Sequence, residues 1–177
     1  MVLYFITGNE KKFKEIQQII PEIEKLSLDL PEIQEVDAKK IIEEKLKEAK
    51  KHHSGEFIIE DTSLYLECIN GLPGPLIKWF LETIGNQGLY NIANALGNKN
   101  AEARTIIGYS HGKKIEFFEG SIKGTLVAPK KESFGWDPIF IPSGYSKTFA
   151  DLGEEKNKIS MRRLAAEKLK KFLTNKK

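Results

Sequence analysis

The chain has 177 residues, of which 40% are hydrophobic, so it can bury one sizeable core and we expect a single domain over residues 1–177. Its 28 Lys and Arg residues are nearly balanced by 25 Asp and Glu residues, which argues against a nucleic-acid-binding protein. The lone cysteine excludes an intramolecular disulfide, and with no secretory signal and no apolar run long enough to cross a bilayer we expect a cytoplasmic protein.

The first predicted element is a central strand over residues 2–6, which are apolar, aromatic or β-branched. A helix follows, because Phe13, Ile16 and Ile20 recur at helical spacing and Asn9 is a good N-cap. The loop between them reads Thr7-Gly8-Asn9-Glu10-Lys11-Lys12. A helix N-terminus attracts anions, and two lysines stand where the helix dipole favours acidic residues. The loop is therefore either a phosphate-binding loop or an ordinary turn with solvated lysines.

The elements that follow alternate between helices and strands. We predict a strand over 23–30, a charged helix over 37–51, a short buried strand over 57–59, an alternating strand over 63–69, a helix from Pro75 to Leu81, a helix over 87–96, two or three antiparallel strands within 103–127, an irregular segment over 134–145 and a final helix over 158–173. Helical crossovers join parallel strands, and meanders join antiparallel strands. A chain that contains both is predicted to form an α/β domain with a mixed sheet.

Two acidic segments are candidate metal ligands. Glu60 and Asp61 end the predicted strand 57–59, and Glu32 follows Pro31 at the end of another. Adjacent carboxylates on an extended chain point to opposite sides, so at most one of Glu60 and Asp61 can face a given cleft. Carboxylates from two strand ends beside a lysine-bearing loop could bind Mg²⁺, although a solvated acidic pair explains the sequence equally well.

Two further segments contain candidate binding residues. In Phe134-Gly135-Trp136-Asp137-Pro138 an aromatic face could stack on a base, or the aromatics could fill a core beneath a loop. Lys156 and the pair Arg162-Arg163 flank Ser160, which could cap the final helix. These cations could bind an anion or lie solvated at the surface.

Six motifs in this order resemble the Ham1 family of noncanonical purine nucleoside triphosphate pyrophosphatases, the inosine triphosphatases. They are Thr7-Gly8-Asn9-Glu10-Lys11-Lys12, Pro31-Glu32-Ile33-Gln34, Glu60-Asp61-Thr62, Gly71-Leu72-Pro73-Gly74-Pro75, Phe134-Gly135-Trp136-Asp137-Pro138 and Glu155-Lys156-Asn157. The series spans nearly the whole chain, and its specificity lies in the order of motifs that are individually weak.

The resemblance implies an elongated, mixed-sheet α/β fold with a central nucleotide cleft, a homodimer, and Mg²⁺-dependent hydrolysis of ITP, dITP and XTP to the monophosphate and pyrophosphate. It implies that Asp61 accepts the proton of the attacking water and binds Mg²⁺ together with Glu32. The implied substrate-binding residues are Thr7, Gly8, Asn9, Glu10, Lys11, Lys12, Lys45, Thr62 and Lys78 around the phosphates, and Phe134, Gly135, Trp136, Asp137, Lys156, Met161 and Arg162 around the base.

The chain departs from the family pattern at two positions. Met161 stands where the family usually has histidine in Ser-His-Arg, and methionine cannot donate the corresponding hydrogen bond. Glu35 stands where glycine often follows Pro-Glu-Ile-Gln. Two other functions remain open: a Maf-type pyrophosphatase with a different base preference, and a basic nucleic-acid-binding module, which would bind oligonucleotides in a salt-sensitive way without magnesium-dependent turnover.

Overall fold

A computed structural model describes residues 2–176 as one mixed sheet with helices on both faces. The strands are β1 (Leu3–Ile6), β2 (Ile23–Leu26), β3 (Glu56–Leu66), β4 (Pro73–Gly74), β5 (Asn100–His111), β6 (Lys114–Leu126) and β7 (Phe140–Pro142). Their order is β2-β1-β3-β5-β6-β7, with β4 paired to β3. The β1 pairs with β2 and β3 are parallel and the remaining pairs are antiparallel, which confirms the mixed sheet.

The helices differ widely in length. They are α1 (Glu10–Gln17), α2 (Ala38–His52), α3 (Ile77–Thr83), α4 (Gly85–Ala95), α5 (Phe149–Leu152), α6 (Lys156–Ile159) and α7 (Met161–Asn175), with 3₁₀ turns at Glu67–Ile69, Asp137–Ile139 and Gly153–Glu155. No helix among residues 2–176 is long and apolar enough to cross a membrane.

Strand alternation divides the sheet into two faces. Phe5 and Ile58 pack in a cluster with apolar residues of α1 and α7, such as Ile16 and Leu169. Their strand neighbours face the other way, where Ile6, Phe57 and Ile59 pack with Ile42 and Leu46 of α2. A third cluster, around Leu64, Trp136, Phe140 and Phe149, forms the core at the other end of the long strands.

The structure corrects several predicted boundaries. The strand predicted to end at residue 59 continues to Leu66, because β5 pairs with it from Phe57 to Leu66 and satisfies its backbone groups. Strand β2 ends at Leu26 rather than at residue 30, and α3 begins at Ile77, two residues after Pro75. The predicted final helix is two helices, with Ser160 as the N-cap of α7.

Candidate active site

The loop between β1 and α1 is built around Asn9. The Asn9 side chain accepts a hydrogen bond from the backbone N–H of Lys12 at 3.1 Å, and the Asn9 N–H donates to the Thr7 hydroxyl at 3.1 Å. Gly8 is exposed, and a Cβ added to it would meet no atom within 4 Å. The predicted N-cap is confirmed.

Glu60 and Asp61 lie in the middle of β3 and face opposite sides of the sheet. Glu60 shares the face of Ile58, where α1 and α7 pack, and Asp61 shares the face of Ile59, where α2 packs. The contacts agree, since Glu60 binds residues of α1 and α7 while Asp61 does not. The predicted divergence of the two carboxylates is therefore confirmed.

Glu60 is the centre of a buried ionic network. It accepts from Lys12 Nζ at 2.6 Å and from Arg162 Nε at 2.7 Å, and Arg162 also contacts Glu15 of α1. Burial alone would raise the pKa of Glu60, but the charges and hydrogen bonds of Arg162 and Lys12 lower that pKa to about 2. Glu60 is thus a charged anchor for the phosphate-loop lysine at neutral pH.

The Asp61 carboxylate is oriented by a side chain on the same face of β3. The Ser63 hydroxyl donates to Asp61 Oδ2 at 2.7 Å, because residues i and i+2 of a strand share a face. Burial raises the pKa of Asp61, while Ser63, Lys12 and Lys45 oppose that rise. A half-buried, oriented carboxylate with a raised pKa beside lysines is suited to accept a proton from water.

Lys45 of α2 lies near both predicted metal ligands, Glu32 and Asp61. Its ammonium group contacts the Glu32 carboxylate and also lies near enough to lower the pKa of Asp61. Two carboxylates that already attract one cation have the donor chemistry that Mg²⁺ requires. Among residues 2–176, no three His, Cys, Asp or Glu side chains converge to form a ready metal site.

The Phe134 loop lies against the phosphate loop. Lys11 Nζ is 4.9 Å from the centroid of the Phe134 ring, and this ring is 44% exposed. Gly135, which follows it, has φ of +56°, a conformation that favours glycine. Trp136 is buried against Phe140 and Phe149, so of the two predicted aromatics only Phe134 presents a face to solvent.

A cavity of about 230 Å³ lies beside the Phe134 loop. Its lining comprises Lys11, Ser133, Asp137, Phe149, Ala150, Gly153, Glu154, Lys156 and Asn157. Lys156 and Asp137 are buried at this cavity, with Lys156 Nζ 2.7 Å from each carboxylate oxygen. Burial lowers the pKa of Lys156, and the charge of Asp137 opposes that change. The cavity thus has a charged pair inside, and Lys11, which lines it, also contacts the Phe134 ring.

Three more residues that are predicted to bind substrate, Glu10, Thr62 and Lys78, contact other side chains of the protein. Glu10 pairs with Lys25, and Thr62 bonds Thr105 on the Glu60 face of β3. Lys78 is exposed on α3, where it pairs weakly with Glu82.

Met161 is buried in the Trp136 cluster, so the structure places it with the core.

Sequence reasoning missed Ser63, Glu15 and Thr105. Ser63 could have been found from its i+2 spacing to Asp61 once the strand was known to continue. Glu15 and Thr105 carry no local signal, since their partners lie far along the chain.

Comparison with known proteins gives a consistent result. A sequence model of the Ham1 family matches residues 3–172. The chain is 41% identical to an inosine triphosphate pyrophosphatase of Schizosaccharomyces pombe over 182 residues, covering 99% of this chain and 96% of that protein.

Two solved structures share the fold. The Ham1 protein of Staphylococcus aureus superposes with a TM-score of 0.83 at 25% identity, covering 99% of both chains. A nucleoside-triphosphatase, also named a dITP/XTP pyrophosphatase, from Mycobacterium abscessus superposes with a TM-score of 0.72 at 27% identity, covering 94% of this chain and 98% of that one.

Proposed function

The chain belongs to the Ham1 family, and from this premise we propose that it is a pyrophosphatase of noncanonical purine nucleoside triphosphates. It hydrolyses ITP, dITP and XTP to the monophosphate and pyrophosphate and so removes them from the nucleotide pool. The observation that carries the proposal is the arrangement on β3, where Glu60 anchors Lys12 of the phosphate loop and the adjacent Asp61 lies near Lys45, which also contacts Glu32.

The reaction follows from these positions. A water molecule attacks the α-phosphorus and forms a new P–O bond, while the bond from that phosphorus to the α–β bridging oxygen breaks. Asp61 accepts the proton that the water loses, and the electron pair of the broken bond leaves with pyrophosphate. Lys12 and Lys45 compensate the negative charge on the phosphates, and the Gly8 N–H donates to a phosphate oxygen. The N–H groups of Thr7 and Asn9 are already bonded, to the Leu26 carbonyl and to the Thr7 hydroxyl.

A divalent metal is part of this proposal, and Mg²⁺ is the ion that the donor set fits best. Glu32 and Asp61 would hold it together with substrate phosphates. When bound, such an ion neutralises phosphate charge and favours ionisation of the attacking water.

The base is proposed to bind in the cavity that Lys11, Asp137 and Lys156 line, beside the Phe134 ring. Phe134 stacks on the purine, and Lys156, which gives two of its three donors to Asp137, has one donor left for a 6-keto oxygen. ITP and XTP present that oxygen, whereas ATP presents an amino group that would leave the donor unpaired. Met161 lies in the core cluster, so it supports the pocket from behind instead of reading the base.

For Arg162 we propose a role that differs from the base contact that the family resemblance implies. Its guanidinium is occupied by Glu60 and Glu15, so we propose that it positions the Glu60–Lys12 pair rather than contacting the base. Lys78 is proposed to reach the triphosphate only by moving from its exposed place on α3.

We also propose that the protein acts in the cytoplasm as a homodimer. Trp79 and Ile84 are 46% and 42% exposed at α3 and its C-cap, and apolar side chains there suit contact with a second copy. Light scattering should give twice the chain mass of 20.1 kDa. A mass of one chain at micromolar concentration would contradict the homodimer.

The central experiment is incubation with ITP, ATP or GTP and Mg²⁺, followed by identification of the products. We expect inosine monophosphate and pyrophosphate from ITP, slower turnover of ATP and GTP, and loss of turnover with EDTA. Release of inorganic phosphate without pyrophosphate would refute the mechanism. Preferred hydrolysis of pyrimidine triphosphates would instead favour a Maf-type specificity.

A further inference from the structure

A hydrogen bond between distant residues joins α4 to the loop that contains Phe134. Asn86, the second residue of α4, donates from Nδ2 to the Gly135 carbonyl oxygen at 2.9 Å, across 49 residues of sequence. None of the six motifs that resemble the Ham1 family includes Asn86.

Within residues 2–176, the loop that receives this bond makes two other side-chain contacts, because Lys131 pairs with Asp151 at 2.7 Å and Lys11 contacts the Phe134 ring. Residues 130–135 are all exposed, and a Cβ added to Gly135 would meet no atom within 4 Å. Within the loop, the Asp137 N–H donates to the Phe134 carbonyl at 3.2 Å. The exposed segment ends at Gly135, and the buried residues begin at Trp136. The Gly135 peptide therefore joins a solvated segment to one that packs in the core. A side-chain bond at this peptide therefore controls how the preceding residue is presented.

The surroundings of Asn86 indicate that the residue does not serve to stabilise α4. Its Oδ1 is buried without a hydrogen-bond partner among the described residues, which costs stability. The first turn of α4 contains no acidic residue, although Asp or Glu at that place would interact favourably with the helix dipole. What Asn offers there and Asp does not is an N–H donor directed at Gly135.

We infer that Asn86 is a positioning residue for nucleobase binding, which holds the Phe134 ring beside the cavity that Lys11, Asp137 and Lys156 line. The inference rests on the proposed function, because it assigns Asn86 to the base end of the same site. The Lys11 ammonium, 4.9 Å from the Phe134 ring centroid, fixes the other side of that ring. Asn86 and Lys11 together pre-organise the aromatic face and reduce the ordering that substrate binding would otherwise require.

The test is Asn86→Asp, which keeps the size of the side chain and suits the helix N-terminus but replaces the donor with an acceptor facing the Gly135 oxygen. We expect KM for ITP to rise about tenfold with kcat within about twofold, as for the loss of one hydrogen bond that orients a binding group. The inhibition constant of inorganic tripolyphosphate, which has no base, should not change. Asn86→Ala should give the same pattern without added charge.

The matched control is Asn91→Asp, which makes the same chemical change on an exposed residue of α4 whose amide contacts only Gln87 in its own helix. It should leave KM for ITP and tripolyphosphate inhibition unchanged. Turnover of ITP by the wild-type protein together with an unaltered KM in both Asn86 variants would overturn the inference. A parallel rise in KM and in the tripolyphosphate constant would also overturn it, and absence of wild-type turnover would refute the proposed function instead.

Discussion

Arg162 and Glu60 form a buried ion pair between residues that are 102 positions apart. The Nε to Oε2 distance is 2.7 Å, and the two side chains are 3% and 1% exposed. Glu60 also accepts from Lys12, and Arg162 also contacts Glu15. One network therefore joins α1, β3 and α7 behind the phosphate loop, and the position of Lys12 depends on it.

Removal of Arg162 should destabilise the fold. Arg162→Met would leave Glu60 and Glu15 as buried charges with too little compensation, and we expect a loss of about 3–5 kcal/mol in the free energy of unfolding. Urea denaturation measures this change. Arg163→Ala is the control, since the Arg163 side chain is 40% exposed and pairs with Glu167 one turn away, so its cost should stay below about 1 kcal/mol. Equal costs for the two variants would contradict the buried network.

Stability should fall in acid because of Glu60. The pKa of its carboxyl is lowered in the fold from 4.5 to about 2, so its contribution is complete above pH 4.5 and is lost as the pH falls toward 2. A shift of that size corresponds to about 3 kcal/mol. Urea unfolding in EDTA buffer should show a large difference between wild type and Glu60→Gln at pH 7 that shrinks toward pH 2. A difference independent of pH would contradict the assignment.

Asp61→Asn should abolish turnover while the fold is retained. The amide cannot accept the proton of the attacking water, so kcat for ITP should fall by about 10²–10⁴-fold. The Asn side chain still has an oxygen for the Ser63 hydroxyl, and the unfolding midpoint should therefore stay close to that of the wild type. Glu22→Gln, at an exposed residue after α1, is the control for loss of one negative charge. Full activity of Asp61→Asn would exclude Asp61 as the base.

Gly8→Ala should separate substrate binding from folding. Because a Cβ at Gly8 meets no protein atom, stability should be unchanged or raised by up to about 1 kcal/mol. The added methyl group would lie beside the N–H group proposed to bind phosphate, so KM for ITP should rise. Gly120→Ala is the contrasting variant: its Cβ would lie 2.0 Å from the Met161 carbonyl oxygen, and we expect a loss of about 1–3 kcal/mol in stability.

The sequence by itself determined features that depend on neighbouring residues. The Asn9 cap followed from a side chain that reaches its own helix, and the divergence of Glu60 and Asp61 followed from the alternation of an extended backbone. The order of motifs identified the family, which the comparisons confirm. These inferences need only local geometry or the order of residues along the chain.

The tertiary structure decided everything that depends on a distant partner. Strand β3 continues through its acidic residues because β5 pairs with it along ten positions, and that pairing joins segments far apart in sequence. Trp136 and Met161 are buried while Phe134 is exposed, although all three stand in motifs associated with the base. Arg162 meets Glu60 and Glu15 only after α7 packs on the sheet beside α1. Local backbone geometry sets the side to which a residue points, but the packing of distant segments against each other determines which partner it contacts there.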